Sequence, residues 1–211
     1  MFESKTRDNS SLLVKLMLRK SLLGLKAVEQ KCALDLFAGN GEIASRVYQD
    51  FPELHLVEND SAKFARLKRK FGDEAGIKLW NLDNREFLAR KLKTIPELSV
   101  VDFDAYGSPN RQIQLFFENW RLKKQLLIFA TDGFTLARLR GREFSPMLYC
   151  AGPDSESGAG YDPVLSRNFE LLIRAFWEEM SKLHQFRIPL FKILWKKRRQ
   201  VAYYGLWIEP K

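Results

Sequence analysis

The sequence predicts an α/β fold, a mostly parallel seven-stranded sheet with helices on both faces and a C-terminal antiparallel hairpin. Short apolar runs alternate with helical patterns from about residue 33 to 130, as parallel strands joined by crossover helices require. A Gly-x-Gly turn follows the first of those runs, at Gly39-Asn40-Gly41. The last two β-rich runs, 186–195 and 201–208, are joined only by Lys196-Lys197-Arg198-Arg199-Gln200. So short a linker cannot make a crossover, so that pair must be antiparallel.

The elements follow in order. Ser10 and Ser11 offer an N-cap to a helix through Leu12, Leu13, Leu16, Met17 and Leu23, within a helical extension over residues 1–30. Residues 33–37 read as the first strand, followed by a helix burying Ile43, Ala44, Val47 and Tyr48. Leu54-His55-Leu56-Val57 forms the second strand, ended by Glu58. Phe64, Leu67 and Phe71 recur at helical spacing with basic residues on the other face. Ile77–Trp80 is a third strand, with Asp83-Asn84 after it and a helix around 85–92. Residues 98–104 form the fourth strand and 111–120 a helix. Leu126–Ala130 is apolar throughout, as suits a strand buried on both faces. Glycine and proline then crowd the segment 133–162, which predicts a long irregular loop near the active site. A helix through Leu165, Phe169, Leu172, Ile173, Phe176, Met180 and Leu183 precedes the hairpin.

At 211 residues the chain is expected to form a single domain, 1–211. No apolar run approaches the roughly 20 residues of a membrane span, which argues against a membrane partner. Glu3, Lys5, Arg7 and Asp8 interrupt the start, so it does not read as a cleavable leader. With Cys32, Cys150, His55 and His184 as its only cysteines and histidines, the chain lacks the spacing of a disulfide framework or a metal site. Cytoplasmic residence is the default expectation. Lys and Arg total 35 against 26 acids, a net charge of +9. Three clusters hold much of that surplus: Lys63 to Lys70, Arg138-Arg140-Arg142, and Lys196 to Arg199. This pattern favours a polyanionic partner, with nucleic acid first among them.

Two readings compete for the glycine turn. Gly39-Asn40-Gly41-Glu42-Ile43-Ala44, with Glu58 19 residues beyond Gly39, satisfies the dinucleotide fingerprint. Asp35, four residues before Gly39, favours the other. Its carboxylate would repel a pyrophosphate and attract the sulfonium and amino group of S-adenosylmethionine. Asp35, Glu58, Asp83 and Asp104 fall at the carboxyl ends of successive strands, the edge where open α/β sheets bind ligands. Glu58 suits the ribose hydroxyls, Asp83 the adenine amine and Asp35 the methionine end. In Asp104-Ala105-Tyr106-Gly107-Ser108-Pro109, the carboxylate can accept from an exocyclic amine while the Tyr106 ring stacks on a base.

These motifs resemble the class I, Rossmann-like, S-adenosylmethionine-dependent methyltransferases, and more narrowly the tRNA guanine-N2 dimethyltransferase family. That family shows Asp-Pro-Phe-Gly-Ser-Pro after strand four, where this chain has Asp104–Pro109. Its Arg-Asp ahead of the cofactor turn is similar to Arg7-Asp8, and its Thr-Asp after strand five to Thr131-Asp132. Its late helix and Ile-x-Pro-Leu strand resemble Glu170 with Arg174 and Ile188-Pro189-Leu190.

The resemblance implies Asp104 and Tyr106 as catalytic residues. Arg7, Asp35, Ala38, Gly39, Gly41, Glu58, Asp83 and Asn84 would hold the cofactor, S-adenosylmethionine. Ala105, Gly107, Ser108, Pro109, Thr131 and Asp132 would meet the substrate, guanine in tRNA. Ala105 stands where the family has proline, and Arg199–Tyr204 where it has His-Tyr. The family's C-terminal RNA-binding domain has no counterpart in the chain. DNA or protein amines as acceptors, and an inactive RNA-binding module, are the alternative readings.

Overall fold

The computed structural model describes residues 10–25, 29–133, 149, 168–196 and 201–211. Arg7 and Asp8, the cluster Arg138-Arg140-Arg142, Cys150, most of the loop 133–162 and Lys197–Gln200 lie outside the described residues.

Seven strands form one sheet: β1 (Cys32–Asp35), β2 (Glu53–Val57), β3 (Ile77–Trp80), β4 (Val100–Phe103), β5 (Leu126–Asp132), β6 (Phe186–Trp195) and β7 (Ala202–Pro210). Their order is β3-β2-β1-β4-β5-β7-β6. The first five run parallel, while β7 lies antiparallel between β5 and β6. Among the described residues, helices α1 (Ser10–Leu23), α2 (Ser61–Phe71), α3 (Asn84–Arg90), α4 (Asn110–Asn119) and α5 (Phe169–Leu183) accompany the sheet.

Two apolar layers flank the sheet. One packs α3, α4 and α5 through Phe87, Phe116, Phe176 and Trp177 against Leu34, Val101 and Ile128. The other packs α1 and α2 through Leu18, Leu22, Leu67 and Phe71 against Ala33, Leu56, Leu127 and Phe129. Alternation decides which residue joins which layer, because successive strand side chains point to opposite faces. Strands β1, β4 and β5 are buried along their whole length, which explains their near-continuous apolar reading.

One expected element differs. Instead of a full helix after the glycine turn, the chain makes a single π turn, Ala44–Tyr48. Ala44 and Tyr48 are buried as expected, but only five residues are helical, because Phe51 and Pro52 already lead into β2. Strand ends also shift: β1 stops at Asp35, two residues early, and β5 runs on to Asp132.

Helix α1 crosses the sheet above β7, where Gly205 makes room for it. A Cβ at Gly205 would stand 2.5 Å from Leu22 Cδ1 and 3.0 Å from the Phe129 ring. Gly205→Ala is therefore expected to lift α1 and destabilise the protein by about 1–3 kcal/mol. Thermal unfolding would show this as a lower Tm, whereas an unchanged Tm would mean α1 docks more loosely than the structure shows.

Candidate functional site

The site lies at the carboxyl ends of β1, β2 and β4, and starts from the glycine turn. Gly39 and Gly41 take φ of 57° and 73°, backbone conformations that side chains oppose. A Cβ at Gly41 would also stand 2.5 Å from Phe71 and 2.9 Å from Leu67. Ala38 is buried, its N–H donating to Val57 O at 3.0 Å and its carbonyl accepting from Gly41 N at 2.8 Å. Glu58, just past β2, accepts from Gly39 N through Oε2 and from Asp60 N through Oε1, each at 2.8 Å. Sequence reasoning thus placed Glu58 and the turn together, and the structure joins them directly. Helix α2 braces the turn from outside: Arg66 donates to Asn40 Oδ1, and Lys70 to Gly41 O and Ser45 Oγ.

Asp83 and Asn84 lie at the next strand end, where both have structural duties. Asp83 caps α3 by accepting from Arg85 N at 2.9 Å. Asn84 Oδ1 accepts from Gln112 Nε2 at 3.4 Å, tying α3 to α4.

Beneath the turn, three carboxylates gather. Asp35 and Asp102 are register partners across β1 and β4, and Asp104 follows just beyond β4. Asp102 is fully buried and takes a bidentate guanidinium, Arg19 Nε and Nη2, at 2.6 Å each, together with the Tyr48 hydroxyl at 2.6 Å. Burial opposes charge on Arg19, yet Asp102 beside it holds the guanidinium well above its ordinary pKa. Asp104 is paired with Lys15 of α1 at 2.7 Å and accepts from the Thr131 hydroxyl. Although burial works against its charge, Lys15 and Arg19 hold its pKa below the ordinary carboxylate value. Asp35, only 1% exposed, has no ion pair among the described residues and accepts from Phe37 N at 3.0 Å. Burial, and then the charge of Asp102, push its pKa well above the ordinary value.

The segment after β4 turns sharply. Ala105 is buried, its N–H donating back to Phe103 O at 2.7 Å, and Tyr106 projects outward, 70% exposed. Gly107, at φ 110°, accepts from Gly133 N at 2.9 Å through its carbonyl. Ser108 Oγ accepts from Asn110 N, and Pro109 immediately precedes α4. Thr131 therefore joins the predicted centre, whereas Asp132 is buried and accepts from the Tyr149 hydroxyl at 2.7 Å.

Lys15, Arg19, Tyr48 and Asp102 were not anticipated as members. Asp102 carried the one available signal, since a carboxylate inside the apolar run Val100–Phe103 demands a buried counter-charge. Asn110, whose buried side-chain amide has neither atom hydrogen-bonded, is a further unanticipated polar group beside Pro109.

Cys32, Glu53 and His55 are close enough to share a metal ion, but their hydrogen bonds oppose one. Trp80 Nε1 donates to His55 Nδ1, which leaves the ring proton on Nε2, facing Glu53 Oε1 at 3.0 Å. Lys78 already neutralises Glu53 at 2.5 Å, and burial pushes the Cys32 thiol up to about 12. Two cavities, of about 340 and 300 Å³, lie near Ser99 and Trp120, at the amino-terminal edge of the sheet and away from Asp104.

No protein-family model matches the chain, and no curated protein matches it by sequence. Solved structures do match. Trm1 of Pyrococcus horikoshii, in complex with S-adenosyl-L-methionine, superposes with TM-score 0.58 at 13% identity, over 94% of this chain and 55% of that one. The N-methyltransferase NodS of Bradyrhizobium japonicum WM9 gives 0.58 at 11% identity, over 98% and 100%. M. jannaschii TYW2 in complex with AdoMet gives 0.52 at 13%, over 99% and 79%. This chain therefore has the Rossmann-like fold of the class I methyltransferases, the architecture its sequence predicts. Among the described residues no helix is long and apolar enough to cross a membrane.

The uncompensated Asp35 gives a stability test. Its folded-state pKa is raised, so its stabilising protonated form is complete below the unfolded-chain pKa of about 3.9 and is lost as pH rises through the folded value. Asparagine keeps the acceptor for Phe37 N without the charge. Asp35→Asn is therefore expected to have a higher Tm than the parent at pH 7, with the gap narrowing as pH falls towards 4. A gap that widens on acidification would mean Asp35 is better compensated than its surroundings indicate.

Proposed function

We propose that this chain transfers a methyl group from S-adenosylmethionine to an exocyclic amine of a nucleobase, the N2 of guanine in tRNA. The observation that carries this reading is Asp104, an ionised carboxylate at the end of β4. It is held by Thr131 and Lys15, two residues before the exposed Tyr106. The fold of the solved neighbours, two of them bound to the donor, supports the cofactor, and the net charge of +9 supports an RNA acceptor.

The residues present suit that donor. Each Glu58 carboxylate oxygen already holds one backbone N–H and has lone pairs left for the ribose hydroxyls. Among the described residues Asp102 is paired with Arg19 and Asp104 with Lys15, while Asp35 has no ion pair, so its ionisation leaves one negative charge unmatched. A sulfonium and an ammonium nearby would compensate it, where a pyrophosphate would not. Asp83 and Asn84, at the amino end of α3, are the groups proposed for the adenine, and Arg7 for the methionine carboxylate.

When bound, the donor supplies an electrophilic methyl carbon whose leaving group is a neutral thioether, so no metal is needed. The protein's work is positional and electrostatic. Asp104 accepts an N–H of the acceptor amine, aims its lone pair and stabilises the positive charge that develops on nitrogen as the methyl–sulfur bond breaks. It then takes the proton that the methylated nitrogen releases. The carbonyl of Ala105 takes the second N–H, Tyr106 stacks on the base, and Gly107, Ser108 and Pro109 shape the turn that holds both. Thr131 keeps the Asp104 carboxylate oriented, and Asp132 anchors the same strand end.

Incubating the protein with donor and tRNA, followed by mass spectrometry of the nucleosides, is expected to show N2-methylguanosine. Label in protein or DNA alone would overturn the acceptor. Asp104→Ala should abolish transfer and leave donor affinity within about twofold, by calorimetry. Glu58→Ala should weaken donor binding by at least ~1 kcal/mol, the loss expected for hydrogen bonds to a charged acceptor. Unchanged donor affinity in that variant would remove Glu58 from the ribose site.

A further inference from the structure

We infer that Lys15 selects guanine at this site by donating to its O6 atom, a role that rests on the nucleobase-amine reading above. Lys15 reaches the end of β4 from α1, a helix that contributes no residue to the glycine turn. Its ammonium lies 2.7 Å from the Asp104 carboxylate and 5.7 Å over the Tyr203 ring. Both members of the pair remain partly open, with side chains 19% and 12% exposed. The neighbouring cation is unavailable. Arg19 commits Nε and Nη2 to Asp102 and Nη1 to the Lys15 carbonyl, in a fully buried pocket.

An acceptor carboxylate beside a donor ammonium is complementary to one particular pairing edge. Guanine presents N2–H, N1–H and then the O6 carbonyl in sequence. Its two N–H groups match the two oxygens of Asp104, and O6 falls to the ammonium alongside. Adenine and cytosine present one amine and then a ring-nitrogen lone pair. They leave one carboxylate oxygen desolvated and unmatched, which a site built around hydrogen bonds penalises heavily. Lys15 has three donors on a flexible stem, so it can slide from Asp104 to O6 while staying beside the carboxylate. The structure thus holds Lys15 on Asp104 until the lactam edge of guanine parts them.

The test pairs one residue with one edge of the base. Guanosine monophosphate and 2-aminopurine riboside monophosphate share the phosphate and the N2 amine, but the second lacks both O6 and N1–H. The contribution of Lys15 is therefore read from how each nucleotide responds to its substitution, not from the difference between the nucleotides. Both are titrated into donor-free protein by saturation-transfer NMR, with the parent, Lys15→Met and Lys15→Arg. Lys15→Met is expected to weaken the guanine nucleotide ~10-fold, the usual scale for one good base contact, and the 2-aminopurine nucleotide less than about threefold. Lys15→Arg, which still donates, should restore the preference, and thermal melts of all three should show folded protein. Equal weakening of both nucleotides, or of neither, overturns the assignment while leaving the methyltransferase reading intact. Failure of the parent to bind the guanine nucleotide also overturns it. Donor titration and tRNA methylation then judge the parent reading separately.

Discussion

The buried pair of Arg19 and Asp102 is the constraint on which the rest of the site depends. It ties α1 to β4, 83 residues away, through two 2.6 Å hydrogen bonds at full burial. Such pairs contribute little net stability, because desolvation cancels most of the attraction, but removing one partner costs about 3–5 kcal/mol. What the pair supplies is register. Arg19 lies over the Phe129 ring at 5.3 Å and donates to the Lys15 carbonyl, so the turn of α1 that carries Lys15 is fixed against Asp104. The Tyr48 hydroxyl completes the set, which brings the short π turn after the glycines into the same network.

Around that anchor the acids divide by environment. Among the described residues, Asp102 has a guanidinium, Asp104 an ammonium and a hydroxyl, and Asp35 a backbone N–H but no ion pair. Three carboxylates at neighbouring strand ends therefore differ in how readily they hold charge. Asp104 is kept ionised and Asp35 is resisted. A buried acid without a cation is a strained element, and such strain collects where a ligand is meant to relieve it.

Much of the fold was legible because its determinants are local. Alternating apolar runs, the Gly39–Gly41 turn and the five-residue linker before β7 each fix an element without reference to distant chain. The glycine turn and Glu58 were legible as a pair for the same reason, since β1 and β2 are adjacent and in parallel register. The π turn was not, because periodicity reports that Ala44 and Tyr48 are buried but not where the helix stops. Lys15 and Arg19 look like ordinary polar positions of a mostly apolar helix. Their role emerges only once Gly205 admits α1 onto the sheet and Asp102 is seen to need a counter-charge.

The same dependence explains why Asp104 and Asp83 diverge although both follow a parallel strand. Asp83 sits at the first turn of α3, where the backbone N–H of Arg85 takes its side chain, a local arrangement that any helix start can provide. Asp104 has no helix N-terminus of its own, because Ala105–Pro109 intervene before α4, and its partners come from α1 and β5. Its carboxylate is thus defined by tertiary contacts alone and stays partly open at the sheet edge. Such a group can exchange one partner for another, as the proposed role in accepting an amine requires. A capping acid has its partner built into its own backbone.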